Sequence, residues 1–345
     1  EFSGNQIFND FYKALNKYLE YQLYIENPTS AQVIFTGKDK TKITSYLNDK
    51  RKVFLDRTIS GLYTPGSIVK PFFAIGALAE KIIDPYKKIL STGSISIQNP
   101  YFPDQKTTFK DWKAHGWVDM TDALAVSSDV YFYAIGGGYE DQKGLGITNL
   151  EKYAQIFGIG QQTGIDLPDE KGGVIPNPFW KAKNFKGESW SLGNTYHTSI
   201  GQYGFQVTPM EMVRAISSIA NYGTLVTPHY ILGDIEKEKT NSKINLDKKY
   251  FDIAHEGMRQ GVLEGTSLPL NVPSVKVAAK TGTAELGVKK DKINSWIIGF
   301  FPYENPKYAF TIMMEAGPES GTVGASSIMR HMLDYMSIYT PEYLK

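Results

Sequence analysis

Tyr63-Thr64-Pro65-Gly66-Ser67-Ile68-Val69-Lys70-Pro71 is the stretch whose reading decides how this chain folds. Pro65-Gly66 is a turn pair that ends one segment and delivers a serine to an apolar run, Phe72-Phe73-Ala74-Ile75-Gly76-Ala77-Leu78-Ala79. That run is long enough, and rich enough in alanine and leucine, to predict a buried helix. Ser67 then falls in the first turn, where backbone N–H groups are unpaired and the dipole favours developing negative charge. Lys70 lies three positions on, so its amine returns over the same face as the serine hydroxyl. Pro71 is tolerated because early helix positions have no intrahelical acceptor for their N–H. A nucleophile, an amine base and an anion-favouring helix end share one turn.

Partners for that pair lie further along. Ser127-Ser128-Asp129 falls within a region whose pattern predicts one helix from Thr121 through Gly136, with Thr121 and Asp122 as caps. Lys280-Thr281-Gly282-Thr283 falls at the end of a predicted edge strand, Val275 to Thr281. Together they make a coherent acyl-transfer site. Ser67 attacks a carbonyl and Lys70 takes its proton. Ser127 relays a proton from the amine to the leaving nitrogen. Lys280 places a second positive charge nearby, which disfavours protonated Lys70 and binds a substrate carboxylate. Gly282 lets substrate approach the strand, and the N–H groups of Ser67 and Thr283 form an oxyanion hole. Substrate binding falls to Ser127, Thr281, Gly282 and Thr283. Each motif alone is cheap: Ser-x-x-Lys arises by chance, Ser3-Gly4-Asn5 mimics the second, and Lys-Thr-Gly is commonly a plain turn. Their joint order, on a helix, a later helix and a C-terminal strand, carries the reading.

Outward from these motifs, Phe8, Phe11, Leu15, Tyr18, Leu19 and Leu23 form a helical stripe ended by Asn27-Pro28. A β-like run, Ala31 to Phe35, follows. Residues 80 to 125 read as loops around Phe109-Lys110-Asp111-Trp112, and residues 150 to 200 as loop-rich. Gly136-Gly137-Gly138 is a hinge or helix end; no Lys-Ser/Thr follows to make a phosphate loop. Thr208-Pro209-Met210-Glu211 opens a helix through Ala220, with Thr208 as cap and Glu211 completing a capping box. A helix is expected around Ile253 to Val262, strands over Val275 to Thr281, Ser295 to Phe301 and Tyr308 to Glu315, and a last helix over Ser326 to Met336. This mixed order predicts an α+β fold, an antiparallel sheet flanked by helices plus an all-helical subdomain, rather than a doubly wound sheet. The expected division is an N-terminal helix over 1–30 joining an upstream region, then a domain over 31–345, helical over about 80–270 with its strands mainly at 272–316.

Composition removes other classes. Lys plus Arg is 37 against Asp plus Glu at 36, so charge gives no reason to expect nucleic acid as partner. No cysteine is present, which rules out thiol catalysis and cysteine-ligated zinc. No apolar run approaches ~18 residues and no signal peptide opens the chain; the Glu1-Phe2-Ser3-Gly4 start favours an excised piece of something anchored. Among five histidines, His115 alone has interesting neighbours, Asp111 and Trp112, and with few carboxylates nearby it reads as structural rather than metal-binding. No cofactor or metal is expected. Trp180, Trp190, Tyr196, Tyr203 and Phe205 line a cleft or, more simply, fill a satellite core.

Ser-x-x-Lys, Ser-x-Asp/Asn and Lys-Thr-Gly are together the signature of serine β-lactamases and penicillin-binding proteins. The chain resembles the latter beyond the triple. Tyr63 to Pro71, Thr163-Gly164-Ile165-Asp166-Leu167-Pro168 and Lys280-Thr281-Gly282-Thr283-Ala284-Glu285 are similar to penicillin-binding transpeptidases. Asp111-Trp112-Lys113, Ser127 through Tyr133, Ile200-Gly201-Gln202-Tyr203-Gly204 and the aspartate at 129 resemble the elongation-type class B group, penicillin-binding protein 2. The resemblance runs from about Ile34 to the C-terminus; the family's paired strands before the nucleophile are short here, residues 25 to 40 holding barely one.

It implies a serine-type D,D-transpeptidase that cross-links peptidoglycan stem peptides from a lipid-linked precursor and is acylated by β-lactam antibiotics. It implies a position at the periplasmic face of the inner membrane, anchored by an N-terminal segment, beside a membrane glycan polymerase and cell-shape scaffold proteins. Asp129 brings negative charge to Lys70, which favours its protonated form. The alternatives are a serine β-lactamase or D,D-carboxypeptidase, or a non-catalytic penicillin sensor or scaffold. The first needs a positioned deacylating water, and Asp166 and Glu170, in the transpeptidases' own sequence context, are no confident counterpart for its carboxylate.

Overall fold

The structure, a computed structural model, describes residues 40–50, 52, 55–99, 102, 104–230, 241–287, 291–319 and 324–345. The chain divides into two compact units, Glu1–Arg57 and Thr58–Lys345. The described part of the first holds one helix, α1 (Lys40–Leu47). The helix expected over residues 1–30, the strand at Ala31 to Phe35 and the shortened strand pair at 25–40 lie outside the described residues.

In the second unit a 3₁₀ turn, Gly66–Val69, runs straight into α2 (Lys70–Ala79). Phe72, Phe73, Ala74, Ile75, Ala77 and Leu78 are all buried, as a helix apolar on every side requires. Residues 80–125, expected as loops, instead carry β1 (Ile89–Ser91), β2 (Ser94–Gln98), β3 (Lys106–Lys110) and β4 (Gly116–Val118), paired antiparallel as β1 with β4 and β2 with β3. The stretch 80–270 is therefore not all-helical. In β2 the run Ser-Ile-Ser-Ile-Gln alternates polar and apolar, and Ile95 and its cross-strand partner Phe109 are both buried.

The single helix expected from Thr121 to Gly136 is two, α3 (Met120–Ala125) and α4 (Asp129–Gly137), broken at Ser127 with φ +61°. The caps are Asp119, reciprocated by Asp122, and Ser128, not Thr121. Three helices occupy the stretch read as loop-rich: α5 (Gly146–Ile156), α6 (Pro178–Asn184) and α7 (Leu192–Ser199). Asn177 before Pro178 and the Ser191/Asn194 capping box start the last two. The Thr208/Glu211 box opens α8 (Pro209–Ala220) as expected. The short pair β5 (Thr224–Leu225) and β6 (Ser242–Lys243) leads to α9 (Lys248–Leu263). Then come β7 (Ala278–Leu286), β8 (Lys292–Phe301), β9 (Tyr308–Pro318) and α10 (Ala325–Tyr339).

These last strands form an antiparallel sheet in the order β7-β8-β9. Side chains of β8 alternate between two cores. Trp296, Ile298 and Phe300 join the large core with Met212, Ile216 and Ile219 of α8. Ile297 and Phe301 join a smaller one with Met329 and Leu333 of α10. The sheet is thus a wall with helices on both faces, and among the described residues β7 is one of its two edges.

Against that edge the serine turn is seated with almost no clearance. Gly66 N–H donates to Gly201 O (3.0 Å) and the Trp296 indole donates to Thr64 O (3.0 Å). A Cβ on Gly282 of β7 would meet Pro65 O at 2.8 Å and Ile68 N at 3.1 Å. Gly201 has φ +75°, and a Cβ there would meet Gly66 O at 2.2 Å. Gly201→Ala is expected to cost about 2–4 kcal/mol of unfolding free energy, since strain and a backbone clash add. Gly187→Ala shares a positive φ (+83°) but meets nothing within 4 Å; its cost is expected at about 1–2 kcal/mol. Chemical denaturation of the two variants checks this, and equal losses would contradict the clash.

Candidate active site

A cleft of about 1100 Å³ opens where three segments meet: the serine turn, the junction of α3 and α4, and the exposed edge of β7. Ser67, Ser127, Asp129, Thr281, Gly282 and Thr283 all line it. Lys70 and Lys280 stand behind the lining, 0% and 1% exposed. Every residue singled out from the sequence as catalytic or substrate-binding is in or directly behind this one cleft. The Lys-Thr-Gly segment sits mid-strand rather than at a strand end, because β7 continues to Leu286.

Lys70 organises the floor. Its Nζ donates to Ser127 O (2.8 Å), Ser127 Oγ (3.3 Å) and Asp129 Oδ1 (2.6 Å), three acceptors for the three protons of an ammonium. It also lies 5.3 Å from the centre of the Phe132 ring. No hydrogen bond joins Lys70 to Ser67 among the described residues. Ser67 is half-buried at the start of the 3₁₀ turn, its backbone N–H unpaired by helix geometry. Gly66, just before it, packs on the Thr283 backbone: a Cβ there would lie 2.5 Å from Thr283 O and 3.3 Å from Thr283 N.

The charges are unequally provided for. Burial pushes the Asp129 carboxyl above its usual range, while the Lys70 ammonium pulls the other way. Lys280 donates to Thr281 O (2.9 Å). Burial pushes its ammonium well below the usual lysine range and the charge of Lys70 adds to that, with Asp129 acting against both. An arriving carboxylate would find here a buried amine whose charged form it stabilises. Thr281 Oγ1 is tied to Thr266 Oγ1 (2.6 Å), which fixes the side chain on the cleft face of β7.

Asp111 and Gln202 stand in segments that carried the resemblance without being assigned to the site, and Trp296 in none; all three border the cleft, Gln202 Nε2 reaching Thr283 O (3.5 Å). Of the five aromatics considered, Tyr203 lines the cleft, braced by Trp180 and Trp190 edge-on, while Tyr196 and Phe205 are fully buried core. Asp166 and Glu170 hold backbone instead: Asp166 accepts from Tyr230 N–H (2.6 Å), and Glu170 accepts from the N–H groups of Thr163 (2.8 Å) and Gly164 (3.0 Å). The His115 imidazole is 1% exposed with Nε2 3.5 Å from Asp111 Oδ1, and burial holds it below the usual histidine range.

Comparison with known proteins agrees with this geometry. The penicillin binding protein transpeptidase domain family matches residues 25–334. The chain is 30% identical to peptidoglycan D,D-transpeptidase MrdA of Acinetobacter baumannii over 87% of its own length and 46% of the relative's. It is 30% identical to the Escherichia coli MrdA over 88% and 50%. The chain thus spans about half the length of the curated relatives it matches. Among solved structures, the Helicobacter pylori PBP2 in complex with MreC superposes with TM-score 0.73 at 31% identity, over 87% of this chain and 53% of that one. Pseudomonas aeruginosa PBP2 in complex with WCK 5153 superposes with TM-score 0.76 at 28% identity, over 89% and 66%. With a family match across most of its length and the three motifs gathered in one cleft, this chain belongs to the penicillin-binding protein transpeptidase domain family.

Proposed function

We propose that this chain carries a peptidoglycan D,D-transpeptidase activity, cross-linking stem peptides through an acyl-enzyme on Ser67 during cell-wall elongation, and that β-lactams acylate the same serine. The observation that supports it most is the convergence of Ser67, Lys70, Ser127 and Lys280 on one cleft beside an open strand edge. Beyond β8, β7 has no strand partner among the described residues. A stem peptide can therefore add alongside it in extended form, its terminal carboxylate against Thr281, Thr283 and Lys280.

Chemically, Lys70 accepts a proton only as the neutral amine, whose two N–H bonds reach Ser127 O and Asp129 Oδ1. Ser67 Oγ attacks the scissile carbonyl as its proton passes to Lys70 Nζ. The carbonyl oxygen gathers negative charge between the N–H groups of Ser67 and Thr283. Lys70 returns the proton through Ser127 Oγ, 3.3 Å away, to the departing amine. The amine of a second stem peptide then attacks the ester and frees Ser67. The MrdA relatives are named for this activity. The Helicobacter relative's complex with MreC supports a scaffold protein of that kind as partner, and a glycan polymerase is the natural source of substrate. In a longer protein the domain would work at the periplasmic membrane face.

Intact-protein mass after mixing with benzylpenicillin tests the reading. A one-drug adduct lasting hours in the wild type and missing in Ser67→Ala is the expected result; rapid drug consumption without an adduct would make this a hydrolase, and neither would remove the catalytic reading. Asp129→Asn is expected to keep acylation, since an amide oxygen still accepts from Lys70. Complete loss of labelling in that variant would show that the carboxylate itself is required.

A further inference from the structure

The Ser127 turn is bracketed on its outer side by two consecutive residues that the acyl-transfer steps leave unused. Asp111, one position past β3, has a side chain 0% exposed. Its Oδ2 accepts from Ser128 Oγ (2.9 Å), from the N–H of Val130 (3.0 Å) and from Ser91 Oγ (3.3 Å). Its Oδ1 accepts from the N–H of Trp112 (2.8 Å). Trp112 in turn donates its indole N–H to Val126 O (3.3 Å). The residues immediately before and after Ser127 are therefore pinned from the same short segment.

Pinning matters because of what lies between. Ser127 is held at φ +61°, a conformation that a non-glycine residue keeps only when its surroundings over-determine it. In that conformation its carbonyl and hydroxyl both face Lys70, and Asp129 follows on the first turn of α4. The serine turn that carries Ser67 is seated separately, on β7 and Gly201. Loosening Asp111 would move Ser127 and Asp129 against Lys70 without unseating the nucleophile or the strand edge.

We propose that Asp111 is a positioning residue for acyl transfer: its buried carboxylate holds the Ser127–Asp129 turn in the conformation that presents both side chains to Lys70. The proposal rests on the acyl-transfer reading of the cleft. It assigns Asp111 to the chemical step rather than to drug binding, because its bonds go to the turn and not to the strand edge on which a substrate lies.

The test is stopped-flow acylation by a fluorescent penicillin, with the rate followed against drug concentration to separate the acylation constant k2 from the binding constant Ks. Active sites are counted by intact mass. In Asp111→Asn one carbonyl oxygen replaces two carboxylate oxygens, so the N–H groups of Val130 and Trp112 cannot both be satisfied. The expected result is a fall in k2 of about tenfold to a hundredfold per active site, with Ks held within about threefold. Ser128→Ala, which removes the 2.9 Å contact together with the Ser91 Oγ contact and the α4 cap on Tyr131 N–H but leaves the Asp111 bonds to Val130 and Trp112, is expected to fall in the same direction by less. Wild-type k2 per active site in both variants would overturn the proposal, as would a change confined to Ks. If Asp111→Asn does not fold, Ser128→Ala decides alone, a wild-type k2 there overturning it. Failure of the wild type itself to be labelled would remove the acyl-transfer reading instead.

Discussion

A lysine ammonium cut off from water is the constraint on which the site depends. Moving such a charge into the interior costs several kcal/mol and is tolerated only when it is paired and its protons are hydrogen-bonded. Among the described residues Lys70 meets both conditions with oxygens from two residues, Ser127 and Asp129. Bringing a backbone carbonyl, the hydroxyl of the same residue and a carboxylate two positions on to one point demands a sharp reversal of the chain. The break between α3 and α4 and the left-handed conformation of Ser127 supply it. On the proposed chemistry, the geometry that solvates the base is also the geometry that places the proton relay.

The second lysine has no such provision. Lys280 is as buried as Lys70, and among the described residues its one hydrogen bond is to the neighbouring Thr281 carbonyl. Asp129 bonds Lys70 directly and acts on Lys280 only through space, so among the described residues Lys280 lacks a carboxylate partner of its own. On the proposed reading, a ligand carboxylate relieves that lack. The nucleophile is placed by different means, through backbone contact: Gly282 and Gly201 let the Pro65–Ser67 turn press onto β7, and the Trp296 indole anchors Thr64. One wall is set by electrostatics and the other by steric fit.

Much of this was legible in the sequence wherever the signal is local. Pro65-Gly66 before an apolar run marked the nucleophile turn, the Thr208/Glu211 box marked α8, and β-branched runs marked β7 to β9. The gathering of Ser67, Lys70, Ser127 and Lys280 was legible only through the joint order of three motifs and their family resemblance. The break at Ser127 was not, because a serine in the left-handed region leaves no trace in composition; the network around Lys70 and Asp111 that holds it is tertiary. Strands β1 to β4 are three to five residues long, too short for a period to show. For α6 and α7 a signal was present, in Asn177-Pro178 and in Ser191 three positions before Asn194, and capping chemistry would have found both.

The role of Asp111 belongs with what sequence alone does not reach. A carboxylate on the segment after β3 finds its donors on β1, at the cap of α4 and in α4 itself, and only the folded chain brings these together. The central claim is that Ser67, seated on β7, is acylated beneath an oxyanion hole while Lys70 stays bound to the Ser127 turn. A crystal structure of the penicillin-treated protein tests it most directly. The expected result is an ester on Ser67 Oγ whose carbonyl oxygen lies between the N–H groups of Ser67 and Thr283, with Lys70 still bridging Ser127 and Asp129. An adduct on another residue, or a carbonyl oxygen turned away from β7, would contradict the account.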